Sequence, residues 1–227
     1  MSTETATLSG PGRLLTLPGV YAPQHDTRIL LAAMGREEVG PGMDVLDLGT
    51  GTGALAVRAA RRGARVTAVD IAWRAVVTTR LNALLSRQRI RVRHGDLTAS
   101  LTGHAYDLVI CNPPYVPGPA SRLPARGAAR AWDAGNDGRA VIDRVCSAAP
   151  SVVRPGGVLL MVHSSLCDPA LTLDRLSYGG LKAEISDRAF VPIGPVLRSR
   201  RAWLHEQGLL AADEHKEELV VIRAERL

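Results

Sequence analysis

The stretch Val45-Leu46-Asp47-Leu48-Gly49-Thr50-Gly51-Thr52-Gly53 decides the fold. Apolar residues ending on an acid read as a buried parallel strand. Glycines at every second position then make a turn in which side chains would obstruct a ligand. Ala54 to Ala60 follows as a helix start. Strand, glycine turn and helix N-terminus in that order form a nucleotide-type pocket at the carboxyl end of a parallel sheet. A dinucleotide-binding enzyme would space its glycines first, third and sixth rather than first, third and fifth. A purely structural turn is the simpler alternative.

Working outward, Ala64 to Asp70 is a second strand that also ends in an acid. Asp70 falls beside the glycine loop, where a carboxylate accepts both hydroxyls of a ribose; its other reading is a helix cap. The helix over Ala72 to Ser86 carries Val76, Val77, Leu81 and Leu84 at helical spacing, read as plain core. Ile90 to His94 is a third strand, and its alternating arginines predict an edge or half-exposed position. Asp96 after it either accepts from an adenine amino group, with Leu97 supplying an adjacent N–H, or is a turn aspartate. His94 is given no role.

Tyr106 to Cys111 is a fourth strand, followed at once by Asn112-Pro113-Pro114-Tyr115. Two prolines fix φ twice and remove two donors, leaving carbonyls exposed in a rigid turn. That turn suits a planar –NH₂ group. Its hydrogens meet the Asn112 side chain and the Pro113 carbonyl, and its plane rests on the Tyr115 ring. An ordinary strand end needs only one Pro or Gly.

Upstream, residues 1 to 20 are small, polar and punctuated by Pro and Gly, so a flexible lead-in to a single domain over 21–227 is expected. Asp26 or Thr27 is an N-cap for a helix over Arg28 to Gly35; alternatively Thr27 and Tyr21 lie over the pocket mouth. Residues 116 to 138 have little periodicity, and loops of that length in a domain are functional or mobile; Trp132 in it is a core plug or a lid. Arg139 to Val153 reads as a helix, Val158 to Val162 as a fifth strand and Asp168 to Tyr178 as a helix. Lys182 to Phe190 is a sixth strand. An insertion at 191–215 has a helix over Val196 to Gly208 with a basic cluster at Arg198 to Arg201, and Glu218 to Ala224 is the seventh strand. The fold class is α/β: a seven-stranded, mostly parallel sheet with an antiparallel last strand and helices on both faces.

Length and composition agree. The chain has 227 residues, 46% hydrophobic, enough for one such domain. No run approaches the roughly 20 apolar residues of a membrane span, no signal peptide is read, and Cys111, Cys146 and Cys167 have no pairing or ligand spacing. A cytoplasmic protein with no metal is expected. The net charge of +6 favours polyanionic partners such as nucleic acid, or else reflects an arginine-rich coding bias.

Together these residues resemble the class I S-adenosylmethionine-dependent methyltransferases: the loop from Asp47 to Gly53, acids at Asp70 and Asp96, and Asn112 to Tyr115. More closely, the chain resembles the HemK-type glutamine N5-methyltransferases of peptide release factors, in their short eukaryotic and archaeal branch. Tyr21-x-Pro23-x-x-Asp26-Thr27, the segment Ala131 to Arg139 and the ending Glu218 to Ile222 carry that match. The resemblance implies S-adenosyl-L-methionine as cofactor, held by Thr27, Asp47, Gly49, Gly51, Asp70, Asp96, Leu97 and Asn112. It implies Asn112, Pro113 and Tyr115 as catalytic residues. It also implies a release factor as substrate and a separate small zinc-ribbon activating subunit as partner. His25, where the branch tends to an acid, and Asp133-Ala134 within the Trp segment depart from the pattern and put the substrate in question. Alternatives are an adenine-N6 methyltransferase on RNA or DNA, a small-molecule methyltransferase, and a non-catalytic cofactor-binding scaffold. No general base is legible.

Overall fold

The structure, a computed structural model, describes residues 14–227 except 100, 102, 121, 126 and 212. Seven strands form one sheet in the order β3-β2-β1-β4-β5-β7-β6. They are β1 (Asp44–Leu48), β2 (Arg65–Asp70), β3 (Ile90–His94), β4 (Tyr106–Cys111), β5 (Val153–Ser164), β6 (Leu181–Pro192) and β7 (Lys216–Arg226). The first five pair in parallel, and β7 runs antiparallel to both β5 and β6. β7 enters between β5 and β6, and it runs opposite to both because the connection after β6 returns it from the same end of the sheet.

Alternation sorts the core onto two faces. Val45, Leu108, Ile110, Leu160 and Val162 meet α1 (His25–Arg36) and α2 (Ala54–Arg61). Leu46, Leu48, Val109, Leu159 and Met161 meet α4 (Ile142–Val152) and α5 (Pro169–Tyr178). The sheet order turns at β1 and β4, which lie side by side in parallel. Loops leaving those two strands diverge to opposite faces and open a crevice at their carboxyl ends. The glycine turn and the Asn112 turn are those loops.

Helix α3 (Trp73–Leu85) corrects the expected core stripe. Val76 is buried, but Val77, Leu81 and Leu84 are exposed, Leu84 at 73%. The buried face is made instead of Ala75, Val76, Thr78, Thr79, Asn82 and Ala83. Two of its three polar members serve the glycine turn: Thr79 Oγ1 donates to the Gly51 carbonyl at 3.0 Å and Asn82 Nδ2 to that of Thr52 at 2.8 Å, while Thr78 bonds back to the Arg74 carbonyl. A tight turn leaves carbonyls that need donors, so hydrogen bonding outranked hydrophobicity on this helix.

Of the expected flexible lead-in, residues 1–13 lie outside the described residues. The part that follows is pinned to α3, since Asn82 pairs with both the N–H and the carbonyl of Leu15 (2.8 and 2.9 Å). β3 is an edge strand, as its arginines indicated. His94 stacks on Trp73 with ring centroids 4.2 Å apart. α4 starts at Ile142 rather than Arg139, and the helix of the insertion divides into α6 (Pro195–Ser199) and α7 (Arg201–Glu206). No helix among the described residues is long and apolar enough to cross a membrane.

Candidate active site

A cleft of about 730 Å³ opens at the carboxyl ends of β1, β2 and β4. Gly49, Gly51, Asp70, Asp96, Leu97, Asn112, Pro113, Tyr115 and Thr27 all line it. The two signature turns touch: a Cβ on Gly49 would stand 3.8 Å from the Asn112 carbonyl oxygen. Gly49 sits at φ +69°, so its backbone faces the cleft in a conformation that other residues rarely adopt.

Asp47 is the sequence-selected residue that does not line the cleft. It is buried beneath the glycine turn, where Oδ2 accepts from Thr50 Oγ1 at 2.6 Å and from the Ala56 N–H at 3.1 Å. These bonds tie the turn to the first turn of α2. Its Oδ1 has no partner, and burial pushes the carboxyl up to about 7. Asp70 ends β2 with both oxygens engaged, Oδ2 by the Gly51 N–H at 3.0 Å and Oδ1 by the Ala72 N–H at 2.8 Å. Each oxygen keeps a second lone pair, and the residue lines the cleft. Burial raises this carboxyl as well. Asp96 pairs with Arg144 at 2.7 Å, and Leu97 beside it has φ +47°, an outlier for a branched side chain.

Asp26 is not the N-cap. It lies inside the first turn of α1, and Gln24 occupies the cap position. Its buried carboxylate gathers four donors: the Tyr21 hydroxyl at 2.7 Å, the Tyr115 hydroxyl at 3.3 Å, and the backbone N–H and hydroxyl of Thr27 at 2.5 and 3.1 Å. The segment from Tyr21 to Thr27 therefore braces the Tyr115 ring, and burial first, then Asp26, raises the Tyr115 phenol well above the usual range.

Within the stretch after the Asn112 turn, Val116, Leu123, Pro124 and Arg130 to Asp133 are among the residues that line the cleft. Val116 exchanges backbone bonds with this segment, from its N–H to Trp132 at 2.7 Å and from the Ala134 N–H to its carbonyl at 3.1 Å. Trp132 lines the cleft, half-buried. From the insertion, Arg200 reaches Asp133 at 2.5 Å and the Pro117 carbonyl at 3.0 Å, so one member of the basic cluster is a strut. Arg139, 4% exposed, donates to the carbonyl of Asp168 at 2.7 Å, to Thr172 Oγ1 at 3.1 Å and to Asp143 at 2.8 Å, and also to the Cys167 carbonyl. The three cysteines are buried and free. Among the described residues no cluster of His, Cys, Asp or Glu is placed to hold a metal ion.

Sequence reasoning passed over Glu217 at the start of β7. It lines the same cleft at 8% exposure, with the Ser164 hydroxyl as its hydrogen-bond donor and Oε1 unpartnered. The signal was available: period two places Glu217 on the inward side with Leu219.

The sequence profile described as Methyltransferase small domain matches residues 11–126, just over half of the chain. The chain belongs to that family. It is a methyltransferase. A Methanocaldococcus jannaschii protein named as a protein N5-glutamine methyltransferase is 35% identical over 77% of this chain and 87% of its own length. The release factor glutamine methyltransferase of Bordetella pertussis is 36% identical over 64% of this chain, which spans only 57% of that protein. Among solved structures, the E. cuniculi Mtq2–Trm112 complex, responsible for the methylation of the eRF1 translation termination factor, matches with a TM-score of 0.65 and 26% identity, covering 92% of this chain and 99% of that one. The resemblance read from the sequence and the seven-stranded methyltransferase fold therefore stand.

Proposed function

We propose that the chain transfers a methyl group from S-adenosyl-L-methionine to the side-chain amide nitrogen of a glutamine in a peptide chain release factor. The observation that carries this reading is the rigid Asn112 to Tyr115 turn forming the cleft wall beside the glycine loop, with its ring braced by Asp26.

The cleft fits such a cofactor. Its volume is in the range of small-molecule sites, the backbone at Gly49 and Gly51 lies open to it, and Asp70 stands at the strand end suited to a ribose. Thr27, Asp96, Leu97 and Asn112 would complete the binding set, with Asp47 acting from below by holding the turn. The cofactor supplies an electrophilic methyl on a sulfonium.

What remains is the work of this chain. An amide nitrogen is a poor nucleophile because its lone pair is delocalised. The Asn112 side-chain carbonyl and the Pro113 main-chain carbonyl take its two hydrogens, raise its electron density and fix its lone pair in line. The Tyr115 ring supports the amide plane and excludes water. A small zinc-ribbon subunit would come as a separate partner. The single domain over residues 21–227 and the cytoplasm as its setting belong to the same reading.

The test is incubation with a donor carrying a labelled methyl and, separately, a release factor, total RNA and DNA. Label on a glutamine is the expected result; label on adenine alone would replace this reading with the nucleic-acid one. Asn112→Ala should lower transfer by roughly 10²–10³-fold, the cost of losing one preorganised polar contact, while calorimetric binding of the cofactor, shared among the other residues of the set, weakens far less than transfer.

A further inference from the structure

Methylation of a neutral amide leaves the nitrogen with a positive charge and a proton it must lose. The cleft wall contains five acids among the described residues: Asp26, Asp70, Asp96, Asp133 and Glu217. Four are committed. Asp26 accepts from Thr27 and both tyrosines, and Asp70 from two backbone N–H groups. Asp96 is paired with Arg144 and Asp133 with Arg200. Glu217 is different. Its carboxyl is held at one side by Ser164, whose oxygen in turn accepts from the Leu166 N–H at 3.3 Å, while Oε1 is buried without a partner. Asp47 and Asp133 also have an oxygen without a hydrogen bond, but Asp47 lies under the glycine turn, outside the cleft wall, and Asp133 Oδ1 stands 2.5 Å from the Arg200 guanidinium.

We propose that Glu217 is the proton acceptor of this site, an inference that rests on the amide-methylation reading above. The nitrogen lone pair forms the new N–C bond as the methyl–sulfur bond breaks, and sulfur keeps that electron pair as a neutral thioether. One of the two N–H protons then leaves its carbonyl acceptor and passes to the Glu217 carboxylate, which becomes a carboxylic acid and returns the proton to water when the product leaves; the other stays on the methylated amide.

The surroundings suit the role. Burial lifts Glu217 from 4.5 to about 7; the Ser164 hydrogen bond opposes this and the Asp26 charge adds to it. The groups that feel Glu217 from packed elements are Asp26 on α1, Tyr21, Tyr115 and Cys167, all of them acids or neutral. Across the sheet its β6 partner is Val191. A carboxyl that titrates near neutrality both accepts a proton and releases it at working pH.

The experiment measures kcat and KM of the full chain with labelled S-adenosylmethionine and a release factor, from about pH 5.5 to about 9, for wild type, Glu217→Gln and Glu217→Asp. The glutamine variant keeps the shape and the Ser164 contact, so folding should be retained. The expected result is a kcat lowered roughly 10²-fold or more with little change in either KM, and loss of the acidic limb of the wild-type profile. Glu217→Asp should restore that limb with intermediate kcat. A glutamine variant with wild-type kcat and an unchanged profile would overturn the assignment. If wild type instead labels adenine, the glutamine reading fails by itself, and the same three proteins decide the role of Glu217 on that acceptor.

Discussion

Replacing Gly53 by alanine tests how the glycine turn is fitted to α3. The added methyl would lie 2.8 Å from Thr79 Cγ2 and 3.1 Å from Thr79 Oγ1. Thr79 has no room to yield: it is fully buried, stiff at its branched Cβ, and its hydroxyl is bonded to the Gly51 carbonyl at 3.0 Å. Gly53 also sits at φ +80°, where an L residue costs roughly 1–2 kcal/mol. Overpacking adds about 1–3 kcal/mol, so Gly53→Ala should destabilise by roughly 2–5 kcal/mol. In a chain this long, each kcal/mol moves Tm by about 2–4 °C, so a drop on the order of 10 °C is expected in thermal melts followed by circular dichroism. Thr79→Ser removes the offending Cγ2 and keeps the hydroxyl. In that background the same substitution should lose the largest part of the overpacking cost, leaving the backbone share of roughly 1–2 kcal/mol and the milder 3.1 Å contact with the hydroxyl. Equal costs in the two backgrounds would refute the contact argument and place the whole effect in backbone strain.

Two further outcomes concern buried charge. Arg139→Ala strands the Cys167 and Asp168 carbonyls and half of the Asp143 pairing, and should cost about 3–5 kcal/mol in urea unfolding; a loss below about 1 kcal/mol would mean that these groups find water instead. Asp47→Asn tests linkage in the ligand-free protein. Because the folded carboxyl is raised from 3.8 to about 7, ionisation favours the unfolded chain, so the penalty is absent below the lower value and complete above the upper one. The stability of the variant relative to wild type should therefore climb between those pH values by at most about 4 kcal/mol. A flat difference would show that Asp47 is ionised at no cost.

Much of the site was legible because its chemistry is local in sequence. The glycine spacing and the double proline after β4 dictate their own turns through φ, whatever surrounds them. A strand–turn–helix order then dictates which sheet end those turns share. Residues far apart in the chain were read less well. Asp26 looked like a cap because capping is the common use of an acid at a helix start. Its service to Tyr115, 89 residues on, exists only once α1 lies beside the end of β4. Period two set Glu217 on the side of Leu219 and apart from Glu218, but that its side faces the cleft was decided only by the antiparallel return of β7.

The stripe on α3 shows the limit from the other side. Val77, Leu81 and Leu84 obey helical periodicity, yet the face that packs is the one with Thr79 and Asn82. Periodicity reports that a helix has two faces, while burial follows from what the neighbouring element needs, here donors for the carbonyls of a tight turn. The sequence by itself therefore determined the parallel sheet, the two turns and the kind of group they grip, since these follow from backbone restriction and side-chain alternation. Only the tertiary structure decided which acids of the cleft are held by neighbouring cations and N–H groups and that Glu217 keeps a carboxylate oxygen facing no cation, because desolvation and long-range hydrogen bonds arise only from distant strands and helices brought into contact.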